Sequence, residues 1–285
     1  MRALVLSALL AGCSTADPVG EPQARAGSVG VLHVERTADG AAGRTVMRAA
    51  FARYQGIDGQ DVLRLLGSRS LADVGSCTLG AGMDAVAGDH TDVDADVELL
   101  DVGALHIGVA DAEERLTPRT FPDLASVIAG VFYAGDAALP MPRAELDEYR
   151  FHAEGSADVG PFDVLVPAPA EPSGLALVGA DGTSAMLDGR LADVARTGSL
   201  TLLWDAEDPR DQVEVELLAA GQSLTCVARD EGSVRVASSL LAALPADPPA
   251  RLSVRRVRVS PFDAPRMDAA YARVTATQST SLSLR

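Results

Sequence analysis

The sequence predicts an all-β protein with two β-sandwich-like domains. Short runs of β-branched and other apolar residues recur along the chain, separated by turns that contain Gly and Asp. Helix signals are few, and a proline-rich segment divides the chain into two strand-rich halves. Hydrophobic residues make up 47% of the chain, which is enough to build packed cores.

The chain opens with a pattern typical of an export signal. A positive charge at Arg2 precedes a short apolar run from Ala3 to Ala11, and small residues stand just before Cys13. A membrane-spanning helix needs about 20 apolar residues, so the run predicts a secretory signal rather than a span. The segment LAGC, from Leu10 to Cys13, resembles the lipobox of bacterial lipoproteins.

The lipobox resemblance implies that residues 1–12 are removed and that Cys13 carries fatty acyl chains. Several such chains on one residue hold a protein firmly at a bilayer. Ser14 stands where an Asp favours inner-membrane retention in this family, which implies an outer-membrane lipoprotein facing the periplasm or the cell surface. The alternative is a plain signal peptide in which the cysteine is incidental.

The first folded domain is predicted at residues 28–168, after a flexible tether at residues 13–27 that is small, polar and contains Pro and Gly. The domain begins with the β-branched run SVGVLHVERT. Alternation in GRTVMRAAFARY favours a second strand, although its alanines also suit a helix. Two apolar runs flank a turn in VELLDVGALHIGV and predict a hairpin, while DGQDVLRLLGS predicts one short helix.

A proline-rich connection separates this domain from the next. Four prolines between residues 161 and 172 cannot lie in a central strand, so the boundary is placed near Ala168–Ala170. The second domain, residues 169–285, offers seven strand candidates. That density is typical of an immunoglobulin-like sandwich.

One segment of the second domain carries a family resemblance. SLTLLWDAEDPRDQVEVELL, which contains the single tryptophan Trp204, is similar to the second and third strands of fibronectin type III domains. The resemblance implies a fibronectin type III-like sandwich with Trp204 packed in its core. The layout of the whole chain is also similar to that of uncharacterised exported lipoproteins of myxobacteria, and that resemblance implies no activity.

Charge limits the classes of partner. The net charge is −16, and so acidic a chain is repelled by phosphate groups, which excludes nucleic acid as a partner. Aromatic residues make up only 4% of the chain, which disfavours a carbohydrate-binding surface. The partners we expect are the membrane, through the lipid on Cys13, and envelope proteins.

Two cysteines remain besides Cys13. Export favours a disulfide between Cys77 and Cys226. Such a bridge would join the two halves of the chain, and each cysteine lies in an apolar, strand-like context. These contexts favour buried free thiols, with the disulfide as the alternative.

An acidic segment offers a candidate calcium site. Asp92, Asp94 and Asp96 alternate, so on a strand their carboxylates would share one face. Calcium takes six to eight oxygen ligands, and three carboxylates could begin such a site. The EF-hand pattern is absent, because Val97 stands where the turn glycine belongs. A solvated acidic loop is the favoured interpretation, so no cofactor is expected, and calcium is the alternative.

A basic segment offers a candidate docking surface. Residues 251–285 carry seven Arg against two Asp, and Arg255, Arg256 and Arg258 lie close together. These arginines either pair with acidic neighbours inside the fold, which is the favoured interpretation, or form a docking patch for an acidic partner or for the other domain.

Catalytic motifs are not found. The four histidines His33, His90, His106 and His152 show no paired metal-ligand spacing, and each is interpreted as a surface or hydrogen-bonded core residue. No nucleophile elbow, phosphate-binding loop or dinucleotide-binding motif occurs. The sequence therefore favours a non-enzymatic interaction or structural role. A calcium- or small-ligand-binding lipoprotein using the loop around Asp92–Asp96 is the alternative.

Overall fold

The structure is a computed structural model that describes residues 26–37, 44–66, 74–81, 96–124, 128–137, 139, 148–187, 192–246 and 249–285. Strands account for 61% of the described residues and helices for 6%. The prediction of an all-β, sandwich-type fold is confirmed. Within the described ranges, no helix is long and apolar enough to cross a membrane.

The first half of the chain contains ten strands and one helix in its described part. In chain order they are β1 (Ala26–Thr37), β2 (Arg44–Gln55), α1 (Gly59–Leu65), β3 (Cys77–Ala81), β4 (Asp96–Leu99), β5 (Leu105–Val109), β6 (Ala112–Arg115), β7 (Thr117–Leu124), β8 (Ile128–Ala137), β9 (Glu148–Ala153) and β10 (Phe162–Pro167).

The second half contains nine strands and one helix among its described residues. They are β11 (Ala176–Val178), β12 (Ser184–Met186), β13 (Ala192–Val194), β14 (Leu200–Leu203), β15 (Gln212–Ala219), β16 (Gln222–Arg229), β17 (Ser233–Val236), α2 (Ser238–Ala243), β18 (Ala250–Pro261) and β19 (Ala269–Leu284).

One large sheet, with eleven strands among the described residues, runs through both halves of the chain. Its order is β3-β16-β15-β18-β19-β1-β2-β4-β8-β7, and β13 also pairs with β19. The parallel pairing of β1 with β19, from Val29 opposite Ala269 to Thr37 opposite Thr277, joins strands from the two sides of the predicted boundary. The division into two domains near Ala168–Ala170 stays a prediction.

Two smaller sheets cover the large one and enclose two cores. The β10-β9-β5-β6 sheet packs over a first core that includes Leu32, Phe51 and Phe151. The β12-β11-β14-β17 sheet packs over a second core that includes Trp204 and Leu252. Trp204 is 5% exposed, so its predicted core position is confirmed.

The opposite face of the large sheet is covered at one end by α1. Asp58 caps this helix, because its side chain accepts a hydrogen bond of 2.9 Å from the Gln60 N–H. Val62 is fully buried against Val29 and Ala52 of the sheet. The helix predicted in DGQDVLRLLGS is therefore confirmed.

The hairpin predicted in VELLDVGALHIGV is wrong. Strand β4 pairs with β2 and β8 in the large sheet, whereas β5 pairs with β6 and β9 in a smaller one. The turn between them carries the chain from one layer of the sandwich to the other. Leu100 and Val102 in that turn are buried, because both lie in the first core.

Candidate functional site

A pocket of about 540 Å³ lies on the outer face of the β10-β9-β5-β6 sheet. The face is polar because residues alternate along its strands: Tyr149 and Phe151 of β9 are buried, while Arg150 and His152 are exposed. The same alternation in β5 buries Ile107 and turns the intervening side chains outward. The pocket therefore lies on strands whose opposite side is anchored in the first core.

Gly108 forms the floor of the pocket. It lies directly opposite Arg150 on one neighbouring strand and opposite Glu113 on the other. Since glycine has no side chain, a gap remains between these two long charged residues. A Cβ atom at this position would lie 3.3 Å from the carbonyl oxygen of Ala112, so even alanine would be tight there.

Two histidines stand side by side along one wall of the pocket. His106 of β5 is directly opposite His152 of β9, and their ring centroids are 6.5 Å apart. The side chains are 27% and 49% exposed, so both imidazoles reach solvent.

Each imidazole is oriented by a carboxylate. The Nδ1 atom of His106 lies 2.8 Å from Oε1 of Glu113, and Nδ1 of His152 lies 3.3 Å from Oδ2 of Asp163. Such a contact places the proton on Nδ1 of a neutral imidazole and leaves the lone pair on Nε2. In the part of the chain that the structure describes, neither Nε2 atom has a hydrogen-bond partner.

Arg150 fixes the carboxylate that orients His152. Its Nη2 donates a hydrogen bond of 2.6 Å to Oδ2 of Asp163, and its Nε lies 3.2 Å from both carboxylate oxygens. The Arg150 hydrogen bond holds the pKa of Asp163 below its usual range, and His152 acts in the same direction. Asp163 therefore stays ionised under mildly acidic conditions and continues to accept from the imidazole.

His33 behaves differently from this pair. It lies in β1, where burial, followed by the nearby charges of Arg273, Arg48 and Arg255, lowers its pKa to about 3. It is therefore neutral at physiological pH and takes no part in the pocket. His90 lies outside the described residues.

The structure places the arginines of the predicted docking patch inside the fold. Arg258 binds Asp211 through Nε at 2.7 Å and Asp208 through Nη2 at 2.8 Å. Arg255 binds Glu214 at 3.2 Å, in line with the favoured prediction of pairing with acidic neighbours.

Arg256 has no exposed side-chain surface. It donates hydrogen bonds to the carbonyl oxygens of Ala170, Glu171 and Asp205 at 3.1, 3.2 and 2.6 Å. Its Nε also lies 3.0 Å from Oδ2 of Asp230, which is equally buried. One guanidinium group thus holds the connection between the halves of the chain against the second core.

Asp230 accepts hydrogen bonds from three further donors in the same region. It accepts from Nε1 of Trp204 at 2.7 Å and from the N–H groups of Glu207 and Asp208 at 3.0 and 3.1 Å. Burial acts to raise its pKa, but these hydrogen bonds and the charge of Arg256 hold the pKa below its usual value. The acidic segment WDAEDPRDQ is thereby held by the fold.

The hypothesis that Arg255, Arg256 and Arg258 form a docking patch for an outside partner is therefore corrected, although Arg255 also lies 3.8 Å from Glu35 of the first half of the chain. Their side chains are 15%, 0% and 7% exposed, so they cannot present an open basic surface to a partner. The physical reason is that acidic partners are already in place inside the fold. Arg255 lies opposite Glu214 of β15, whereas Arg256 and Arg258 pair with acidic residues of the loops beside it.

Cys77 and Cys226 are bonded to each other. The two residues are directly opposite in the β3–β16 pairing, which brings their side chains together although 149 residues separate them in sequence. The structure thus has the disulfide and not the buried free thiols that the apolar contexts favoured.

Three other predicted site residues, Cys13, Asp92 and Asp94, lie outside the described residues. Asp96 is described: it begins β4, is exposed, and lies opposite Gln55 of β2. Over the described ranges, no group of three or more His, Cys, Asp or Glu side chains is arranged to hold a metal ion. The calcium hypothesis stays a prediction.

No protein-family model, no curated protein and no solved structure matches this chain.

Sequence reasoning missed the pairing of His106 with His152. No second histidine lies near either residue in sequence, and 46 positions separate the two, so no local spacing predicts a pair. The alternation of EYRFHA does indicate an outward-facing His152, but only the antiparallel register of β5 with β9 brings the two rings together.

Proposed function

We propose that this chain is an exported lipoprotein, anchored by acyl chains on Cys13 to the outer membrane and facing the periplasm or the cell surface. Its folded part acts there through binding or as a structural component rather than through catalysis.

The Cys77–Cys226 disulfide carries this proposal. Disulfides persist in secreted and periplasmic proteins and are rare in the reducing cytosol. The bridge supports export independently of the lipobox pattern, because it comes from a different part of the chain.

The connected, rigid architecture of the folded part supports a role as a scaffold for a binding surface. A continuous sheet joins the two sandwiches, and the buried Arg256 donates hydrogen bonds to the carbonyl oxygens of Ala170 and Glu171 in the connection between them. Such a scaffold positions its outer pocket and loops rigidly, as binding modules do. The alternative, a calcium-binding lipoprotein using Asp92–Asp96, stays a prediction.

The lipid anchor is tested with Cys13→Ser in the full chain, expressed in a Gram-negative host with radioactive palmitate. We expect the wild-type chain to incorporate label and to enter the detergent phase of Triton X-114, and the variant to do neither.

The matched control is the double variant Cys77→Ser/Cys226→Ser, which retains the lipobox. It is expected to keep the label, since its remaining thiol is the acylated one. Unchanged labelling and partitioning of Cys13→Ser would refute the proposal.

A further inference from the structure

We propose that His106 and His152 form a binding site for a divalent transition-metal ion, of the kind that prefers imidazole nitrogen (Zn²⁺, Cu²⁺ or Ni²⁺). The site would lie in the outer pocket of the β10-β9-β5-β6 sheet, and it is independent of the lipid anchor and of the calcium hypothesis.

The donor atoms are prepared for a metal. Metal-bound histidines commonly donate their second ring N–H to a carboxylate, which fixes the tautomer and raises the basicity of the ligating nitrogen. His106 and His152 both have this arrangement, with Glu113 and Asp163 on their Nδ1 atoms. Both Nε2 lone pairs are left for an ion.

The two rings are near enough to share one ion after a modest movement. With Zn–N bonds of about 2.1 Å, and each Nε2 about 1.1 Å from its ring centre, two rings on one tetrahedral ion have centroids about 5.2 Å apart. The observed separation is 6.5 Å. Both side chains are partly exposed, so they can rotate to bring the rings about 1.3 Å closer when the ion binds.

The pocket supplies space and charge for the rest of the coordination sphere. Gly108 leaves an open floor beside the rings, where water or a ligand oxygen can complete the sphere. Asp111, Glu113 and Glu148 line the pocket with negative charge, whereas Arg150, the only arginine among the lining residues that the structure describes, is paired with Asp163. This field concentrates cations.

The donor set selects the class of ion. Imidazole nitrogen suits zinc, copper and nickel, whereas calcium and magnesium take oxygen ligands. Two protein ligands leave the ion open to exchange, so we expect binding in the micromolar range rather than a permanent structural metal.

The test is a calorimetric titration of the purified full chain with ZnCl₂ after chelation and dialysis. We expect one saturable site per chain. In His106→Gln and in His152→Gln the affinity should fall at least tenfold, and in the double variant the site should disappear.

Two further variants distinguish coordination from general attraction. Glu148→Gln removes a pocket carboxylate that contacts neither imidazole, and its affinity should change less than about threefold. Asp163→Asn removes the partner of His152 and should lower the affinity about tenfold or more.

Two results would overturn the proposal. One is no saturable Zn²⁺ binding below millimolar concentration in the wild-type chain. The other is equal binding in the double histidine variant, which would place the ion elsewhere. Both histidine side chains are partly exposed, so the variants should fold normally, and their thermal unfolding is measured alongside.

Discussion

A guanidinium group removed from water is stable only when acceptors surround it, and Arg256 has four of them. Three are main-chain carbonyl oxygens from the connection and from the loop after β14, and the fourth is the carboxylate of Asp230. Loss of this side chain leaves both a buried negative charge and unpaired carbonyl groups.

We therefore expect Arg256→Gln to lower the free energy of unfolding by about 3–5 kcal/mol, the loss typical when one partner of a buried ion pair is removed. Urea denaturation followed by Trp204 fluorescence measures it. Arg251→Gln, at an exposed position of the same strand, is the matched control and should change stability by less than about 0.5 kcal/mol. Equal effects of the two substitutions would contradict this account.

Part of this residue-scale chemistry follows from the sequence. The excess of Arg in residues 251–285 of an acidic chain indicates pairing with acidic neighbours, and the structure has such pairs. The carbonyl contacts of Arg256 do not follow, because they depend on where two loops pass. The His106–His152 pair does not follow either, because strand register is set by the whole sheet.

Among the strands, β3 is the one whose attachment to the sheet should depend most on a single covalent bond. It has five residues, lies at the end of the large sheet and, among the described strands, pairs only with β16. The disulfide at its first residue fixes it to that neighbour.

Reduction of the bridge, or Cys77→Ser/Cys226→Ser, should lower the free energy of unfolding by about 2–4 kcal/mol, because the bridge closes a long loop in the unfolded chain. Hydrogen exchange should accelerate in β3 and change little in the β15–β18 pairing. Reductant added to the double serine variant is the control and should have no effect. Unchanged exchange in β3 would show that other contacts hold the strand.

Strand positions were predicted better than strand partners. Alternation in SVGVLHVERT, EYRFHA and QVEVELL indicates strands, and each is a strand in the structure. The β4–β5 hairpin was predicted from proximity in sequence and is wrong, because the turn crosses between two layers. Local pattern specifies burial on a face, whereas the choice of sheet depends on distant segments.

The two cores of the whole molecule share one sheet. Strand β19 contributes to both cores, and β1 joins the first half of the chain to β19. A substitution that destabilises the first core should therefore also destabilise the second.

Phe51→Ala tests this coupling, since Phe51 is fully buried in the first core and Trp204 reports on the second. A buried Phe→Ala change removes about 3–5 kcal/mol. We expect a single thermal transition, shifted downward equally by circular dichroism and by Trp204 fluorescence. Leu165→Ala, at a 56% exposed position, serves as the control. A Trp204 transition that Phe51→Ala does not move would show two independent domains divided near residues 168–170.

The parallel pairing of β1 with β19 also bears on the order of assembly. Val29 and its partner Ala269 are 240 positions apart. Strands β1 and β2 are therefore synthesised long before β19, the strand that pairs with the other edge of β1. Contacts this distant slow folding and leave an unpaired edge exposed in the meantime. Until β19 is in place, that edge of β1 is open to binding by a chaperone or to pairing with a second copy of the chain.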